Sequence, residues 1–277
     1  MDDELKATRY EVEAGVATVT LNRPHRHNAW TGRMHTEYRW CLARAEADPS
    51  VRVVVVTGQG SDFCVGADTK ALAKHAEAGA YDPGLPEDPT EIAHPGYGVR
   101  PELDHDFVWH WGLRLPVIAA INGACAGVGL ALAAYCDLRY AVAGAKITTA
   151  TPQLGLPAEY GLSWVLPRLV GVTRAADLLL TGRVLLAEEA GAMGLLNEVL
   201  PSPKALNKRV QAVARHFASA VSPSSVRATK RQLYDDLLRL DVGASVDEST
   251  SMMSDMMGGP DFTEGVAALR DRRPPHF

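Results

Sequence analysis

The sequence offers few of the usual handles for covalent, metal or nucleic-acid chemistry. Its four cysteines (Cys41, Cys64, Cys125, Cys136) show no CxxC spacing and sit among apolar neighbours. They read as reduced packing residues, not as a disulfide framework or a zinc site. The histidines His75, His94, His105 and His110 form no HxxxH pair, so no metal is expected. Charge of one sign is scarce as well: 28 basic against 33 acidic residues leave −5, with a pI of about 6.0. That balance gives no electrostatic footprint for nucleic acid or an anionic membrane. No apolar run approaches the roughly 18 residues of a membrane span. The acidic start, 1-MDDELKATRYEVEAG-15, lacks the basic end and apolar core of a signal peptide. A protein of the cytoplasm is expected. Low-complexity tracts and short repeats are absent too.

What is present is a core. Hydrophobic residues make up 47% of 277 and charged residues 22%, the balance of a globular chain that buries much of itself. Val12, Val16, Val19 and Leu21 around Gly15 predict a hairpin. Thr31 can cap a helix over 31–47, which Asp48-Pro49 stops. The continuous run 53-VVVV-56 predicts a strand buried on both faces, as do 116-PVIAAIN-122 and 137-DLRYAVA-143. Helices are expected at 68–78, 104–114 and 128–135, then at 203–220, 223–240 and 261–270. The fold class is α/β with a helical C-terminal region. The segment 79–101 carries five prolines and four glycines, and reads as a lid or inserted loop.

Two strand-to-helix turns stand out. In 62-DFCVGADTK-70, Gly66 permits a backbone path that a side chain would obstruct, and Asp68 suits a helix N-cap. In 121-INGACAGVGLALAAYCD-137, Asn122-Gly123 turns the chain out of a strand. Gly127-Val128-Gly129 then allows close approach before an apolar helix. Unpartnered N–H groups at two such turns can converge on one carbonyl oxygen and stabilise negative charge there. Each turn alone is as readily structural. A dinucleotide site is the rival reading, but GxGxxG is missing and 127-GVG-129 is followed only by apolar residues.

Several stretches together resemble the crotonase superfamily, the enoyl-CoA hydratase/isomerase family. They are 21-LNRPHRHNAW-30, 54-VVVTGQGSDFCVGADTK-70, 117-VIAAINGACAGVGLALAAYCDLRYA-141, 152-PQLGLPAEYGLSWVLPRLVG-171, 181-TGRVLLAEEAGAMGLLNEV-199 and 264-EGVAALRDRRPPHF-277. They run in family order over nearly the whole chain. The resemblance implies a crotonase-like spiral of ββα units over 1–200, carrying an acyl-CoA site. It implies a helical trimerisation region over 201–277, hence a homotrimer or dimer of trimers. It also implies an oxyanion hole made by the N–H groups of Ala67 and Val128, and acyl-CoA thioesters as substrates. Coenzyme A would then enter as part of the substrate, with no separate cofactor.

Hydratases of this family resemble one another in using two glutamates. Alignment through the neighbouring motifs puts those positions at Ala131 and Thr151, and neither is acidic. The carboxylate that remains is Glu159, in 155-GLPAEYGLSW-164. It resembles the acidic residue of single-base members, the Δ3,Δ2-enoyl-CoA isomerases and related ring-acyl isomerases. A lone carboxylate suits an allylic shift, which takes a proton from one carbon and returns it at another. Beside Leu156, Tyr160 and Trp164 its pKa should be raised toward neutrality. The structural alternative is a Glu159 that caps the helix near Gly161 or is simply solvated. The expected function is double-bond isomerisation. The alternatives are enoyl-CoA hydration as in fatty-acid β-oxidation, with Thr151 orienting a water, and non-catalytic acyl-CoA binding.

The resemblance further places Arg23, His25 and Ala29 along the CoA pantetheine and phosphates, with the backbone of Val65 and Asp68 bordering the adenine and Gly66 among the CoA-binding residues. Asp68 is expected to act as a cap and little more. Phe262 and Phe277 would cover the nucleotide. Trp109 and Trp111 are expected in the core and the acyl-pocket wall. The methionines of 252-MMSDMM-257 read as gap fillers or interface residues.

Overall fold

The computed structural model describes residues 5–79 and 101–277. Most of the proline- and glycine-rich segment, with His94, lies outside the described residues, and so does the side chain of His75.

The chain opens with β1 (Thr8–Glu13) and β2 (Val16–Leu21), the expected hairpin, then α1 (Gly32–Ala47), β3 (Val53–Gly58) and α2 (Thr69–Ala78). After the gap in description come α3 (Trp109–Gly112), β4 (Val117–Ile121), β5 (Cys125–Ala126), α4 (Val128–Tyr135), β6 (Leu138–Val142) and β7 (Lys146–Thr148). Next are α5 (Leu162–Val170), α6 (Val172–Thr181), β8 (Leu185–Leu186), α7 (Ala187–Ala192) and β9 (Glu198–Leu200). Four helices finish the chain: α8 (Pro203–Ser219), α9 (Pro223–Asp236), α10 (Val242–Met257) and α11 (Pro260–Asp271).

Six strands form one sheet in the order β1-β2-β3-β4-β6-β9, parallel throughout except for the β1/β2 hairpin. A small second sheet orders β5-β7-β8. The run of valines in β3 is buried on both faces, as its lack of alternation predicts. Val54 and Val56 enter the main core. Val53 and Val55 enter a second core with Ile118 and the α8 residues Leu206, Val210 and Ala214. Each fully buried valine contributes roughly 1.5–3 kcal/mol, so this strand anchors two layers at once.

The helix starts follow local chemistry. Thr31, Ser202 and Ser222 accept from N–H groups in their own first turns, with proline at the first helical position of α8 and α9. The helix expected at 104–114 is only the four residues of α3. Phe107 stands before it at φ 64°, a left-handed conformation that interrupts helix and turns its ring into the core.

One buried network ties α9 to the sheet. Asp137 accepts from Lys230 Nζ (2.8 Å), the Tyr234 hydroxyl (2.6 Å) and the Val117 N–H (2.6 Å). Trp111 stacks on Tyr234 at 4.5 Å, with 9° between the planes.

Candidate active site

The 62–70 turn is held from both sides. Phe63 and Cys64 N–H donate to the Ala124 carbonyl, and Ala126 N–H donates to Cys64, so 63–66 runs alongside 124–127. On the other flank, Trp30 N–H donates to Gly66 (2.7 Å) and Asp68 N–H donates to Trp30 (2.9 Å). Ala67 N–H lies between these bonds and donates to no backbone carbonyl among the described residues.

The 121–129 turn has the same character. Gly127 N–H donates to Thr148 (3.1 Å), and the Gly127 carbonyl accepts from Ala131 inside the first turn of α4. Val128 is the first residue of that helix, where an N–H has no intrahelical partner. It too donates to no backbone carbonyl among the described residues.

The two turns touch, and Glu159 lies against them. Gly66 (φ 100°) and Gly127 (φ 50°) are both left-handed. A Cβ on Gly127 would stand 3.7 Å from Gly66 Cα and 3.0 Å from Glu159 Oε1. Glycine is required here by close approach as much as by φ. Burial raises the Glu159 carboxyl to about 7. Among the described residues no group hydrogen-bonds or ion-pairs that carboxylate, and helix α5 begins at Leu162 with Gly161 at its N-cap and no side-chain cap. Glu159 is therefore not a helix cap. Desolvation without a counter-charge produces the shift. Of the apolar neighbours expected around it, Tyr160 and Trp164 pack against the core, whereas Leu156 is 49% exposed and forms no wall.

The residues at the two expected glutamate positions are both buried. Ala131 is inside α4, and Thr151 is 2% exposed, its Oγ1 without a hydrogen-bond partner among the described residues.

Three of the residues expected to meet CoA form one joint. Arg23 Nη2 pairs with Asp68 Oδ2 at 2.9 Å, and its Nη1 donates to the Ala29 carbonyl. Asp68 Oδ1 accepts from Lys70 N–H at 2.9 Å. Asp68 thus does more than cap α2, which corrects the expectation. Its burial raises the carboxyl, but the bonds from Arg23 and Lys70 outweigh this and hold it below the usual range. His25 is exposed beside this joint, and Val65 is 36% exposed. Phe262 is 47% exposed on α11, and Phe277 ends the chain.

Beyond Tyr160 and Gly161 lies a cavity of about 680 Å³. Trp111, Tyr135, Tyr160 and Trp164 line it, with Asp104 and Asp106 among its polar residues. Trp111 belongs to both the core and the cavity lining, whereas Trp109 is a core residue. All four cysteines are buried and free, and burial raises Cys64 to about 12. Among the described residues no cluster of His, Cys, Asp and Glu is arranged for a metal ion, and no helix is long and apolar enough to cross a membrane.

Sequence reasoning missed Tyr135 and Phe107. Tyr135 donates to the Tyr160 carbonyl at 3.0 Å, and Phe107 packs on the Tyr160 ring at 5.0 Å. Both act on the residue after Glu159 from distant parts of the chain, and no local pattern signals that.

The family model described as enoyl-CoA hydratase/isomerase matches residues 11–94 and 100–277. A probable enoyl-CoA hydratase of Mycobacterium tuberculosis is 35% identical over 268 residues, covering 95% of this chain and 89% of that protein. The 1,2-epoxyphenylacetyl-CoA isomerase of Escherichia coli is 33% identical over 268 residues, covering 96% of each. The crystal structure of a probable enoyl-CoA hydratase/isomerase from Mycobacterium abscessus superposes with a TM-score of 0.83 at 32% identity, covering 98% of both chains. With the α/β architecture and the paired turns already described, the chain belongs to the enoyl-CoA hydratase/isomerase family, the crotonase superfamily.

Proposed function

We propose that this crotonase-type enzyme shifts a double bond in an acyl-CoA thioester, from the 3- to the 2-enoyl position, with Glu159 as its single base. The N–H groups of Ala67 and Val128 hold the thioester oxygen. Glu159 takes a proton from the α-carbon, leaving a dienolate whose negative charge sits on that oxygen. The same carboxyl returns the proton at the γ-carbon, and the double bond moves into conjugation. A base near pKa 7 serves both halves, because it accepts and releases a proton with comparable ease. Preorganised amide donors stabilise the charge without rearranging.

One observation carries this reading. Glu159 Oε1 lies against Gly127, beside the two free N–H groups, while Ala131 and Thr151 supply no second carboxylate. The CoA moiety would run past Arg23, His25 and Ala29 and past Val65, Gly66 and Asp68. The acyl end would enter the aromatic cavity, whose Asp104 and Asp106 disfavour chains ending in a carboxylate. The C-terminal region, 201–277, would serve assembly into a homotrimer or dimer of trimers.

A second reading, hydration, is favoured by one feature. The unpartnered Thr151 hydroxyl is a place for a water that Glu159 could activate. Turnover of 3-enoyl-CoA and of crotonyl-CoA separates the readings. Faster conversion of 3-enoyl-CoA, lost in Glu159→Gln, supports isomerisation. Faster hydration of crotonyl-CoA overturns it, and binding of both without turnover leaves a non-catalytic acyl-CoA-binding protein.

A further inference from the structure

Helix α4 touches the site at both ends. Its first residue, Val128, brings a free N–H to the hole, and its last, Tyr135, holds the loop that carries Glu159. Every residue of the helix is buried. Seven steps at about 1.5 Å each separate the two ends by roughly 10 Å.

The loop beyond Glu159 is strained. Tyr160 stands at φ 46° and Gly161 at φ 70°. A bulky side chain in the left-handed region costs about 1–3 kcal/mol, and the surroundings must impose it. Two contacts do so. The Tyr135 hydroxyl donates to the Tyr160 carbonyl at 3.0 Å, and the Phe107 ring, itself on a left-handed residue, meets the Tyr160 ring at 5.0 Å. Gly161 is part of the same fit, because a Cβ there would come within 2.5 Å of the Tyr135 oxygen.

We infer that Tyr135 is a positioning residue, pinning the Tyr160 peptide so that helix α4 sets the Glu159 carboxylate at a fixed distance from the Val128 N–H. The inference rests on the reading of Glu159 as base. Burial lifts the Tyr135 hydroxyl to about 12, so it remains a donor across the working range of pH. Burial is also the cause of the Glu159 shift, and Cys64 is the titratable neighbour that Glu159 affects in turn. A carboxylate released from the Gly127 surface would gain water and titrate lower.

Tyr135→Phe keeps the ring and its edge contact with Trp111 at 5.1 Å and removes only the donor. Expected are a fall in kcat of about 10–100-fold, as for a small misplacement of a catalytic group, and a KM within about twofold. The Glu159 carboxyl, followed by infrared difference against Glu159→Gln, should titrate near 7 in the native protein and lower in Tyr135→Phe. Gly161→Ala, which pushes the hydroxyl away from the other side, should reproduce both effects. Unchanged kcat and unchanged Glu159 titration in Tyr135→Phe would overturn the inference, as would a loss of thermal stability alone. If Glu159→Gln retains full kcat, the base assignment fails, yet the infrared titration still reports whether Tyr135 holds that carboxyl in place.

Discussion

The sheet-bearing part of the molecule and its last four helices bury apolar residues very differently. In the first, β3 and β4 are sunk into cores on both faces, and even helix α4 is buried end to end. In the second, α8 lies on the sheet, but α10 contributes no buried residue at all. Val242 is 80% exposed and Leu269 81%. A groove between α9, α10 and α11 is walled by Met252, Met253, Met256, Met257 and Phe262. The first part exposes apolar residues too, with Val172 73% and Leu180 79% exposed on α6, but the last helices gather theirs along one groove. Position at the site comes from the first part, whereas the second has surface to offer another chain.

The largest effect should come from the first part. Glu159→Gln should lower kcat by about 10²–10⁴-fold, the usual contribution of a general base, with the circular dichroism spectrum unchanged. A retained rate would place the base elsewhere.

Val128→Pro should follow, with a loss of about 10²–10³-fold. Proline is tolerated at the first position of a helix, so the variant deletes one donor and spares α4. Val128→Ala, which keeps the N–H, should stay near native activity. Steady-state kinetics on both variants separate a main-chain role from a side-chain one.

The joint between the two parts is the next test. Lys230→Met leaves Asp137 without its cation in a site where the two side chains are only 6% and 14% exposed. Breaking such a pair costs about 3–5 kcal/mol, readable by urea denaturation.

A pH series is subtler. The native rate should rise through about 7 as Glu159 loses its proton, and this limb should vanish in Glu159→Gln. Stability should run the other way. The folded state holds the Glu159 proton more tightly than the unfolded chain, so stability falls between the ordinary glutamate range and 7. That decline should also disappear in Glu159→Gln.

The smallest effect on a single chain should come from the display side. Val246→Lys and Met253→Lys, at positions 58% and 54% exposed, should change unfolding free energy by about 0.5 kcal/mol or less. Sedimentation should nevertheless show altered assembly if another copy covers α10. Unchanged sedimentation would remove that role from this face.

The sequence made the first part more legible than the second, for physical reasons. Four consecutive valines admit little besides a strand buried on both sides, and the two glycine turns announce a backbone that comes close to something. Glu159 stands out through resemblance, because 155-GLPAEYGLSW-164 is similar to the setting of the acidic residue in single-base members. In contrast, 242-VGASVDESTSMMSDMM-257 mixes glycine, serine and aspartate with methionine and shows no clear helical period, so the bounds of α10 are not legible within a region that reads as helical. The helix at 104–114 was overestimated because tertiary packing of Phe107 overrides local preference. The second bond of Asp68 and the hydroxyl of Tyr135 depend on partners 45 and 25 residues away. Local reading cannot see such pairings.

The two glycine turns have a consequence for how such an enzyme changes over time. The N–H groups of Ala67 and Val128 belong to the polypeptide spine, so ordinary replacement of side chains leaves them in place. Novelty must therefore enter through what surrounds them: which acid, if any, reaches over Gly127, and what shape waits past Tyr160. If Ala67 and Val128 are the donors proposed above, a scaffold arranged this way can exchange one reaction for another by altering a handful of walls while both amides stay in place.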